Sequence, residues 1–342
     1  MKFAKLLSGQ VYSYAVNTAG EFKKKLSEEK GIPEELLKIL QEVLHEELSS
    51  ESILSEEIVY SIFLEQDDGL REWVRQAVKD LDDWKGFSGN PNAIPFLEKN
   101  PEKIDWWQLC MNPNAINLIE KNLDKIEWWE LSMNPSAIHL IEQNLEKVNW
   151  EILSNNPSAI HLLEQNLEKL DWEILSKNQS AIPILERNLD KVNWRFLSSN
   201  PAAIHLIEQN PDKIVWRFLS GNPAAIHILE KNLDKVSWWR LSENPAAIHL
   251  LEQNLDRVIW SRLSGNPAAI HLLERNLDKI DWRVVSQIPS AIHLIEKNLD
   301  KVVWKYLSFN EAAIHLLEQN IDKVNLRYLS ENPAIFHQRY EL

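Results

Sequence analysis

Residues 200–221 read Asn-Pro-Ala-Ala-Ile-His-Leu-Ile-Glu-Gln-Asn-Pro-Asp-Lys-Ile-Val-Trp-Arg-Phe-Leu-Ser-Gly, and near-copies of this stretch follow one another along the chain. Trp returns every 22 residues from Trp106 to Trp304. Eleven full copies fill 90–331, and a twelfth begins at residue 332. A fixed period of this length indicates a solenoid, a propeller or a similar array, so the repeat decides the fold.

Each copy predicts two helices. Asn200 suits an N-cap, and Pro201 suits the first helical position, where its missing N–H needs no partner. Trp194 and Leu197 would share one face of a second helix of five or six residues. No period-2 alternation marks a strand. We therefore predict an all-α fold, an α-solenoid of 22-residue helix–short-helix repeats with a helical N-terminal cap.

The repeat also divides the chain. Residues 1–67 lie outside it and predict a helical N-terminal domain or cap, with helices beginning near Pro33 and over 53–65. Residues 68–89 predict a degenerate capping repeat, because Trp84, Phe87 and Ser88 are in register with later copies. Residues 90–331 are the eleven repeats, and 332–342 predict a partial C-terminal capping repeat. Such short helices need their neighbours for stability.

Several positions that never change predict structural roles. A spine of buried Trp would supply the core, so Trp194→Ala should cost about 3–5 kcal/mol. The repeated Glu should pair with a Lys of a stacked turn or with a backbone N–H. The repeated Asn at the end of the first helix should bond loop backbone across repeats. Examples are Trp150, Trp172, Trp194 and Trp216, with Glu164, Glu208, Asn166 and Asn210.

Composition excludes several classes of protein. The 37 basic and 51 acidic side chains leave a net charge of -14, which argues against bulk nucleic-acid binding but allows a local basic stripe. The single cysteine, Cys110, excludes a disulfide framework, a cysteine zinc cluster and an iron–sulfur site. Without a long apolar run or a signal-peptide stretch, we expect no membrane span and an intracellular, non-secreted protein.

One column of side chains could suggest metal or proton chemistry. Eight histidines share one repeat position: His139, His161, His205, His227, His249, His271, His293 and His315. Stacked helices lie about 8–10 Å apart, too far for several such side chains to share one ion. Packing of each His on its neighbouring copy is the alternative that we favour. We expect no metal and no cofactor.

Catalytic motifs are missing from the sequence. No nucleophile elbow, P-loop, dinucleotide fingerprint or zinc-protease motif occurs. The repeated Glu and Ser recur in repeat after repeat, whereas an active site is one place. We therefore expect no enzymatic activity.

The informative residues vary while the rest of the repeat stays constant. Two of them follow each Trp, acidic or aromatic at first and cationic from Arg195 onward. Arg beside aromatic residues is typical of binding hot spots, and it could hold an acidic peptide or, as an alternative, a phosphate backbone. Equally, the second residue of each pair could pack into the core and the first be merely solvated. The binding candidates are Trp107, Trp129, Arg195, Arg217, Trp239, Arg240, Arg262, Arg283, Lys305 and Arg327.

Over about 90–342 the pattern Asn-Pro-x-Ala-Ile-x-Leu-Leu-Glu-x-Asn-x-Asp-Lys-Ile/Val-x-Trp-x-x-Leu-Ser resembles tandem repeats in uncharacterised proteins of giant DNA viruses that infect protists. The resemblance implies an intracellular viral product, in the virion or in contact with host proteins, with no known catalytic residue. Gln179, Ile288 and Glu311 break the Asn-Pro pair, and Leu326 replaces the last Trp.

A second, shorter resemblance concerns the N-terminus. Met1-Lys2-Phe3-Ala4-Lys5 and Phe22-Lys23-Lys24-Lys25-Leu26 are similar to the opening of SPX domains, which sense inositol phosphates. That resemblance implies Lys24 and Lys25 as ligand contacts. A solvated helix face is the alternative.

Together these observations predict a non-enzymatic repeat scaffold for protein–protein interaction, as a structural or assembly component of a giant virus. The alternatives are an adaptor that binds host proteins in the infected cell, or a nucleic-acid-binding solenoid that uses the Arg column. The expected partners are viral capsid or host proteins. Self-association is a further possibility, because a repeat array presents copied surfaces.

Overall fold

A computed structural model describes residues 2–6, 11–14, 18–30, 37–41, 46–47, 60–64, 69–79 and 81–336. The chain divides into two compact units. One, the sheet unit, comprises Met1–Leu70 with Phe336–Leu342, and the other, the ring unit, comprises Arg71–Ile335. Each unit has its own architecture and is described by itself.

The described residues of the sheet unit form five strands and one helix. They are β1 (Lys2–Leu6), β2 (Val11–Tyr14), α1 (Ala19–Lys30), β3 (Leu37–Gln41), β4 (Glu46–Glu47) and β5 (Tyr60–Leu64). The strand order is β2-β1-β5-β3-β4, with β1 and β5 parallel and every other pair antiparallel. Thr18 and Glu21 cap α1 reciprocally, at 3.2 and 3.3 Å. Phe22 and Leu26, one turn apart, are its buried face.

The helical prediction for this unit is wrong in two places. Leu37–Gln41 is a strand inside the helix predicted from Pro33, and Tyr60–Leu64 is a strand inside the helix predicted over 53–65. Short apolar runs do not distinguish a strand from a buried helix. Here the pairing of β5 with the distant β1 decides the outcome. Lys24 and Lys25 lie exposed on α1, and their role as ligand contacts stays a prediction.

The repeats of the ring unit form the predicted α-solenoid. Each repeat has a turn after its opening Asn (the Pro turn), a first α-helix (the Ile helix) and a second α-helix (the Trp helix), and from residue 135 onward the Pro turn is a 3-10 helix. The 3-10 Pro turns are Pro135–Ala137, Pro157–Ala159, Gln179–Ala181, Pro201–Ala203, Pro223–Ala225, Pro245–Ala247, Pro267–Ala269, Pro289–Ala291, Glu311–Ala313 and Pro333–Ile335. Further 3-10 turns are Pro101–Lys103, Leu167–Lys169, Pro211–Lys213, Glu230–Asn232 and Ile321–Lys323.

The helices alternate without interruption. The Ile helices are Ile94–Glu98, Ile116–Glu120, Ile138–Glu142, Ile160–Glu164, Ile182–Glu186, Ile204–Gln209, Ile226–Leu229, Ile248–Glu252, Ile270–Glu274, Ile292–Glu296 and Ile314–Glu318, and Glu72–Val78 takes the same place before them. The Trp helices are Lys85–Gly89, Trp106–Met111, Trp128–Leu131, Trp150–Leu153, Trp172–Leu175, Trp194–Ser199, Trp216–Leu219, Trp238–Leu241, Trp260–Leu263, Trp282–Val285, Trp304–Leu307 and Leu326–Ser330.

Aliphatic side chains, and not Trp, form the innermost core. Leu197, Ala203 and Ile207 are fully buried, and so are their copies, whereas the repeated Trp are only half-buried. The prediction of a buried Trp spine is therefore wrong. A cation of the following repeat covers each of ten Trp rings, at 4.3–5.8 Å from the ring centroid. The indole lies between the aliphatic core and this layer of Lys and Arg.

The Asn that opens each repeat joins neighbouring repeats. Asn200 is buried, and its Nδ2 donates to the carbonyl oxygens of Ser176 and Asn178 at 3.2 and 3.3 Å. Its Oδ1 accepts the N–H of Ala202 and so caps its own Pro turn. We call this pair of inter-repeat bonds an Asn rung. Eleven asparagines form one: Asn90, Asn112, Asn134, Asn156, Asn178, Asn200, Asn222, Asn244, Asn266, Asn310 and Asn332.

The first rung closes the solenoid into a ring. Asn90 has no earlier rung to bond, and its Nδ2 donates to the carbonyl oxygens of Ser330 and Asn332, both at 3.1 Å. The first Trp helix packs against the last one. Neighbouring Pro turns contact each other, whereas neighbouring Ile helices lie farther apart. Because neighbours in a ring approach most closely near its axis, the Pro turns lie on the inner side.

Both ends of the ring unit together build the twelfth repeat. Asn332 and the Pro turn Pro333–Ile335 supply its beginning, and Glu72–Val78 with Lys85–Gly89 supply its two helices. The N–H of Arg71 donates to the Ile335 carbonyl at 2.9 Å, and Nε of the same residue donates to Ala334. The two segments predicted as separate capping repeats are thus halves of one composite repeat.

The repeated Asn at the end of the Ile helix, the repeated Glu and the repeated His all bond differently from the predictions. Asn166 and Asn210 donate within their own repeat, to Leu162 and Leu206, and do not bond across repeats. The repeated Glu pairs neither with Lys nor with a backbone N–H, because the Lys lies over Trp instead. Seven Glu accept from the His Nε2 of the next repeat at 2.6–2.9 Å, Glu208 among them. Glu164 accepts from Arg187, because Pro183 replaces the His.

These His–Glu pairs also correct the expectation that each His packs on its own copy. The carboxylate is an acceptor only, so Nε2 carries the hydrogen. His315 lies 2.9 Å from Glu296, and its hydrogen bond lowers the pKa of that carboxyl below the ordinary value. The pairs bridge the wider gap between neighbouring Ile helices on the outer side of the ring.

Candidate functional site

The variable residues after each Trp lie on one surface of successive Trp helices. The first of each pair, such as Arg195 or Arg217, is exposed in nearly every repeat. The second, such as Phe196 or Phe218, is half-buried. Of the two alternatives, packing of the second residue into the core is met only in part, because these side chains keep one face open to solvent.

Two adjoining cavities open on this surface. The first, of about 250 Å³, is lined by Lys177, Phe196, Ser199, Phe218, Gly221 and Arg240. The second, of about 220 Å³, is lined by Met133, Ile152, Asn155, Asn156, Ile174 and Lys177. They share Lys177, and together we call them the rim groove. Four apolar side chains, one for each repeat, form its floor: Ile152, Ile174, Phe196 and Phe218.

Cations surround the aromatic half of the rim groove. Lys177 Nζ lies 4.0 Å from the Phe196 ring centroid, and the Arg195 guanidinium lies 4.6 Å from that of Phe218. The two Phe rings meet edge to face at 6.1 Å. Arg240 lies 5.7 Å from the Phe218 ring. The groove therefore combines an apolar floor with positive walls.

Beyond the groove most cations already have carboxylate partners. Arg262 Nη1 lies 2.9 Å from Glu243. Arg283 donates to Asp281 at 2.8 and 3.1 Å, and these bonds lower the pKa of the Asp281 carboxyl. Arg327 lies 3.7 Å from Asp83 in the composite repeat. These three predicted contacts are largely neutralised.

The predicted binding residues thus do not form one site. Arg240 lines the rim groove, and Arg195 lies over the ring of Phe218 in its floor. Trp239 is held between Arg240 and Arg262, at 4.8 and 3.7 Å. The remaining candidates do not line the groove: Trp107 and Trp129, exposed by 47% and 53%, Arg217, exposed on the Trp helix of Phe218, and Lys305 over the tyrosines Tyr306 and Tyr328.

One row of lining residues was not among the predicted binding residues. The last residue of each repeat, after the constant Ser, supplies Met133, Asn155, Lys177, Ser199 and Gly221 to the rim groove. The variability of this position in the sequence could have indicated a surface role, since constant positions build the scaffold and variable ones lie on its surface. Only the structure shows that this position lies beside the second residue after Trp.

Other chemistry finds little support in the described part of the chain. No group of three His, Cys, Asp or Glu side chains there is arranged to hold a metal ion. None of its helices is both long and apolar enough to cross a bilayer. Ser199, the hydroxyl in the rim groove, donates to the Phe196 carbonyl at 2.8 Å.

Comparison of this chain with protein-family models, with curated proteins and with solved structures finds no match.

Proposed function

We propose that this protein is a non-enzymatic binding scaffold and that the rim groove holds an extended segment of a partner protein. The observation that carries the proposal is the half-open apolar floor Ile152, Ile174, Phe196 and Phe218. These side chains repeat once per Trp helix, so they form a continuous track across four repeats. The rings of Phe196 and Phe218, in neighbouring repeats, lie 6.1 Å apart. An extended chain rises about 3.3 Å per residue, so about 6–8 residues would cross the four repeats.

The scaffold itself suits this role. Core residues, Asn rungs and covered Trp hold each repeat in one position relative to its neighbours. A rigid groove loses little conformational entropy when it binds, which favours affinity. The variable residues can then change the partner without changing the ring, because they lie outside the core.

Gly221 provides the sharpest test. It lines the rim groove, and a Cβ at this position would approach other atoms no closer than 3.7 Å. Gly221→Tyr should therefore fill the cavity and leave the fold intact. Peptides selected from a random display library on the wild-type protein should lose at least about tenfold in affinity for this variant.

Gly265→Tyr is the matched control. Gly265 has the same place in the repeat two copies later, with its nearest Cβ contact at 3.4 Å, and it does not line the rim groove. Peptides should bind this variant as they bind wild type. A selection that yields no binding peptide, or peptides that bind both variants equally, would refute the groove as the binding site.

We propose a viral setting on the repeat resemblance alone, with other viral proteins as partners and host proteins as the alternative. Cofractionation with purified particles at fixed copy number would support the virion component, and its absence the adaptor. Nucleic-acid binding along the whole Arg column is disfavoured, because Arg262, Arg283 and Arg327 already pair with carboxylates.

A further inference from the structure

We infer that the partner segment is acidic at one end and that its carboxylates lie over Phe196 and Phe218, between Arg195, Arg217 and Arg240. This inference rests on the proposed function and adds the chemistry and the direction of the ligand. It makes the rim groove a site for an apolar–acidic polypeptide segment.

Charge separates along the rim groove. Around its aliphatic half the variable residues are Glu130, Glu151 and Glu173. Around its aromatic half they are Lys177, Arg195, Arg217 and Arg240, with Glu243 at the end. The chain as a whole carries -14, so this positive half is a local reversal of sign. A bound segment would meet a negative wall at one end and a positive wall at the other.

The cations of the aromatic half have few internal partners. Within the described residues, neither Arg195 nor Arg217 forms an ion pair, unlike Arg283 and Arg327 farther around the ring. Arg240 Nη1 is 3.5 Å from Glu243, a carboxylate that Arg262 holds at 2.9 Å. The Nε of Arg240 is buried and has no acceptor in the described part of the chain. The guanidinium groups of Arg195 and Arg217, both exposed, therefore keep donors and charge for an external carboxylate, and Arg240 adds its positive charge.

The aromatic rings hold the guanidinium groups in place. Arg195 lies 5.4 Å from the Phe196 centroid and 4.6 Å from the Phe218 centroid, so its cation contacts two rings. Arg240 lies near Phe218 and Trp239. A guanidinium over an aromatic ring can still bind a carboxylate through its N–H groups with two parallel hydrogen bonds. Lys, a point charge, would not provide this geometry.

The test uses three fluorescein-labelled peptides of about 12 residues, which are long enough to span the groove. All share an alternating Leu-Ser core, and the C-terminal flank is Glu-Glu-Glu, Gly-Gly-Gly or Lys-Lys-Lys. Fluorescence anisotropy with the full-length protein should show the acidic peptide binding about tenfold tighter than the neutral one at about 50 mM salt. The basic peptide should bind most weakly.

Two variants locate the effect. Arg195→Glu combined with Arg240→Glu should reverse the order of the acidic and basic peptides. Arg275→Glu combined with Lys297→Glu makes the same change of charge on exposed residues at the ends of the Ile helices and should leave the order unchanged. Equal melting curves would establish that both proteins are folded.

The outcomes separate the two proposals. Equal affinity for all three peptides, with loss of binding in Gly221→Tyr, would overturn the acidic ligand and keep the groove. A preference for the acidic peptide that Arg195→Glu with Arg240→Glu does not change would overturn the assigned site. Absence of binding by every peptide would count against the groove itself.

Discussion

At the scale of single residues, the Asn that opens each repeat makes more structural hydrogen bonds than any other repeated side chain described above. One side chain caps its own Pro turn and satisfies two carbonyl groups of the preceding repeat. A buried amide can do this without net charge, whereas a buried carbonyl left unpaired costs about 1–3 kcal/mol. This explains why the position tolerates so little variation along the chain.

Ile288 is the one break among these positions and leads to a prediction. Its backbone, at φ -90 and ψ 114, is nearly that of Asn200, at φ -84 and ψ 113. Ile288→Asn should therefore restore the missing rung and cap, and raise the free energy of unfolding by about 1 kcal/mol. All 15 Trp lie in the ring unit, so denaturation followed by Trp fluorescence measures this unit.

Ile288→Ala is the control, because it removes the same apolar side chain and adds no amide. It should be less stable than wild type. If Ile288→Asn is no more stable than Ile288→Ala, the rung does not contribute what its geometry suggests.

Cys110 gives a prediction on pH. It stands where other repeats carry Ser, whose hydroxyl accepts the N–H that begins the next Trp helix, as Ser154 does from Asp171. Burial raises the pKa of the Cys110 thiol from 9.0 to about 11. The folded state thus holds the proton more tightly than the unfolded state. The stability that the thiol supplies is complete below pH 9 and is lost as pH rises toward 11.

The full loss amounts to about 2–3 kcal/mol relative to Cys110→Ser, whose hydroxyl does not titrate. Chemical denaturation of both proteins at successive pH values measures the difference, and other titrating groups cancel in the comparison. A difference that stays constant from neutral pH to pH 11 would contradict the prediction. The thiol should also resist alkylation in the folded protein near neutral pH.

At the scale of elements, neither helix of a repeat is long enough to be stable alone. The Ile helices have four to six residues in the eleven full repeats, and most Trp helices have four. Isolated helices shorter than about 12–15 residues are marginal in water. Stability comes from three contacts between repeats: the aliphatic core, the Asn rungs and the cations over Trp. Each repeated Trp is only half-buried because a ring this thin has little interior to cover it.

The joint between the first and last Trp helices gives the prediction at this scale. Gly86 lies against Ser330, and a Cβ at Gly86 would overlap the Ser330 hydroxyl and approach its Cβ to 2.9 Å. Other repeats carry Gln, Glu, Ile, Phe, Arg, Val or Tyr at this place. Gly86→Ala should therefore lower the free energy of unfolding by about 1–3 kcal/mol, the usual range for overpacking.

A double-mutant cycle checks the cause. Ser330→Gly removes the atoms that an alanine at 86 would meet, so Gly86→Ala should cost much less in that background. Gly221→Ala, with its open surroundings, should be nearly neutral in both. If Gly86→Ala has the same cost with and without Ser330, the two helices do not pack as described.

At the scale of the whole molecule, closure gives every repeat two neighbours. In an open solenoid the terminal repeats have one neighbour each and fray first. Here the composite repeat joins chain segments more than 240 residues apart, since Asn90 bonds Ser330 and Asn332. The groove is consequently held from both directions around the ring.

Closure is testable by comparing two rungs. Asn90→Ala removes the closing rung and Asn200→Ala an internal one, and both side chains are at most 2% exposed. We expect each to cost about 2–3 kcal/mol, and the two values to agree within about 1 kcal/mol. In an open rod Asn90 would have no inter-repeat acceptor. A much smaller cost for Asn90→Ala would show that the ring is open in solution.

The sequence by itself determined the repeat, its two helices and their caps, because Asn-Pro, Trp and the aliphatic spacing act within 22 residues. It also showed which residues vary beside each Trp. It misjudged the partners of Trp, Glu and His, since those lie one repeat away and depend on how neighbours stack. It placed the partner of Asn166 across repeats, although that partner, Leu162, lies one turn back in the same repeat. The strands of the sheet unit were not predicted because their pairing joins segments, such as β1 and β5, that are far apart in the chain.

Only the tertiary structure decided that the solenoid closes and where the rim groove lies. Closure depends on a small rotation between neighbouring repeats that accumulates around the ring. No residue of a single repeat indicates what the total rotation will be. The composite repeat likewise exists only once Asn332 meets Asn90 and Ile335 meets Arg71. The groove needs side chains from several repeats on one surface. Its cations differ from those in ion pairs only in their distances to carboxylates, and these distances depend on the tertiary structure.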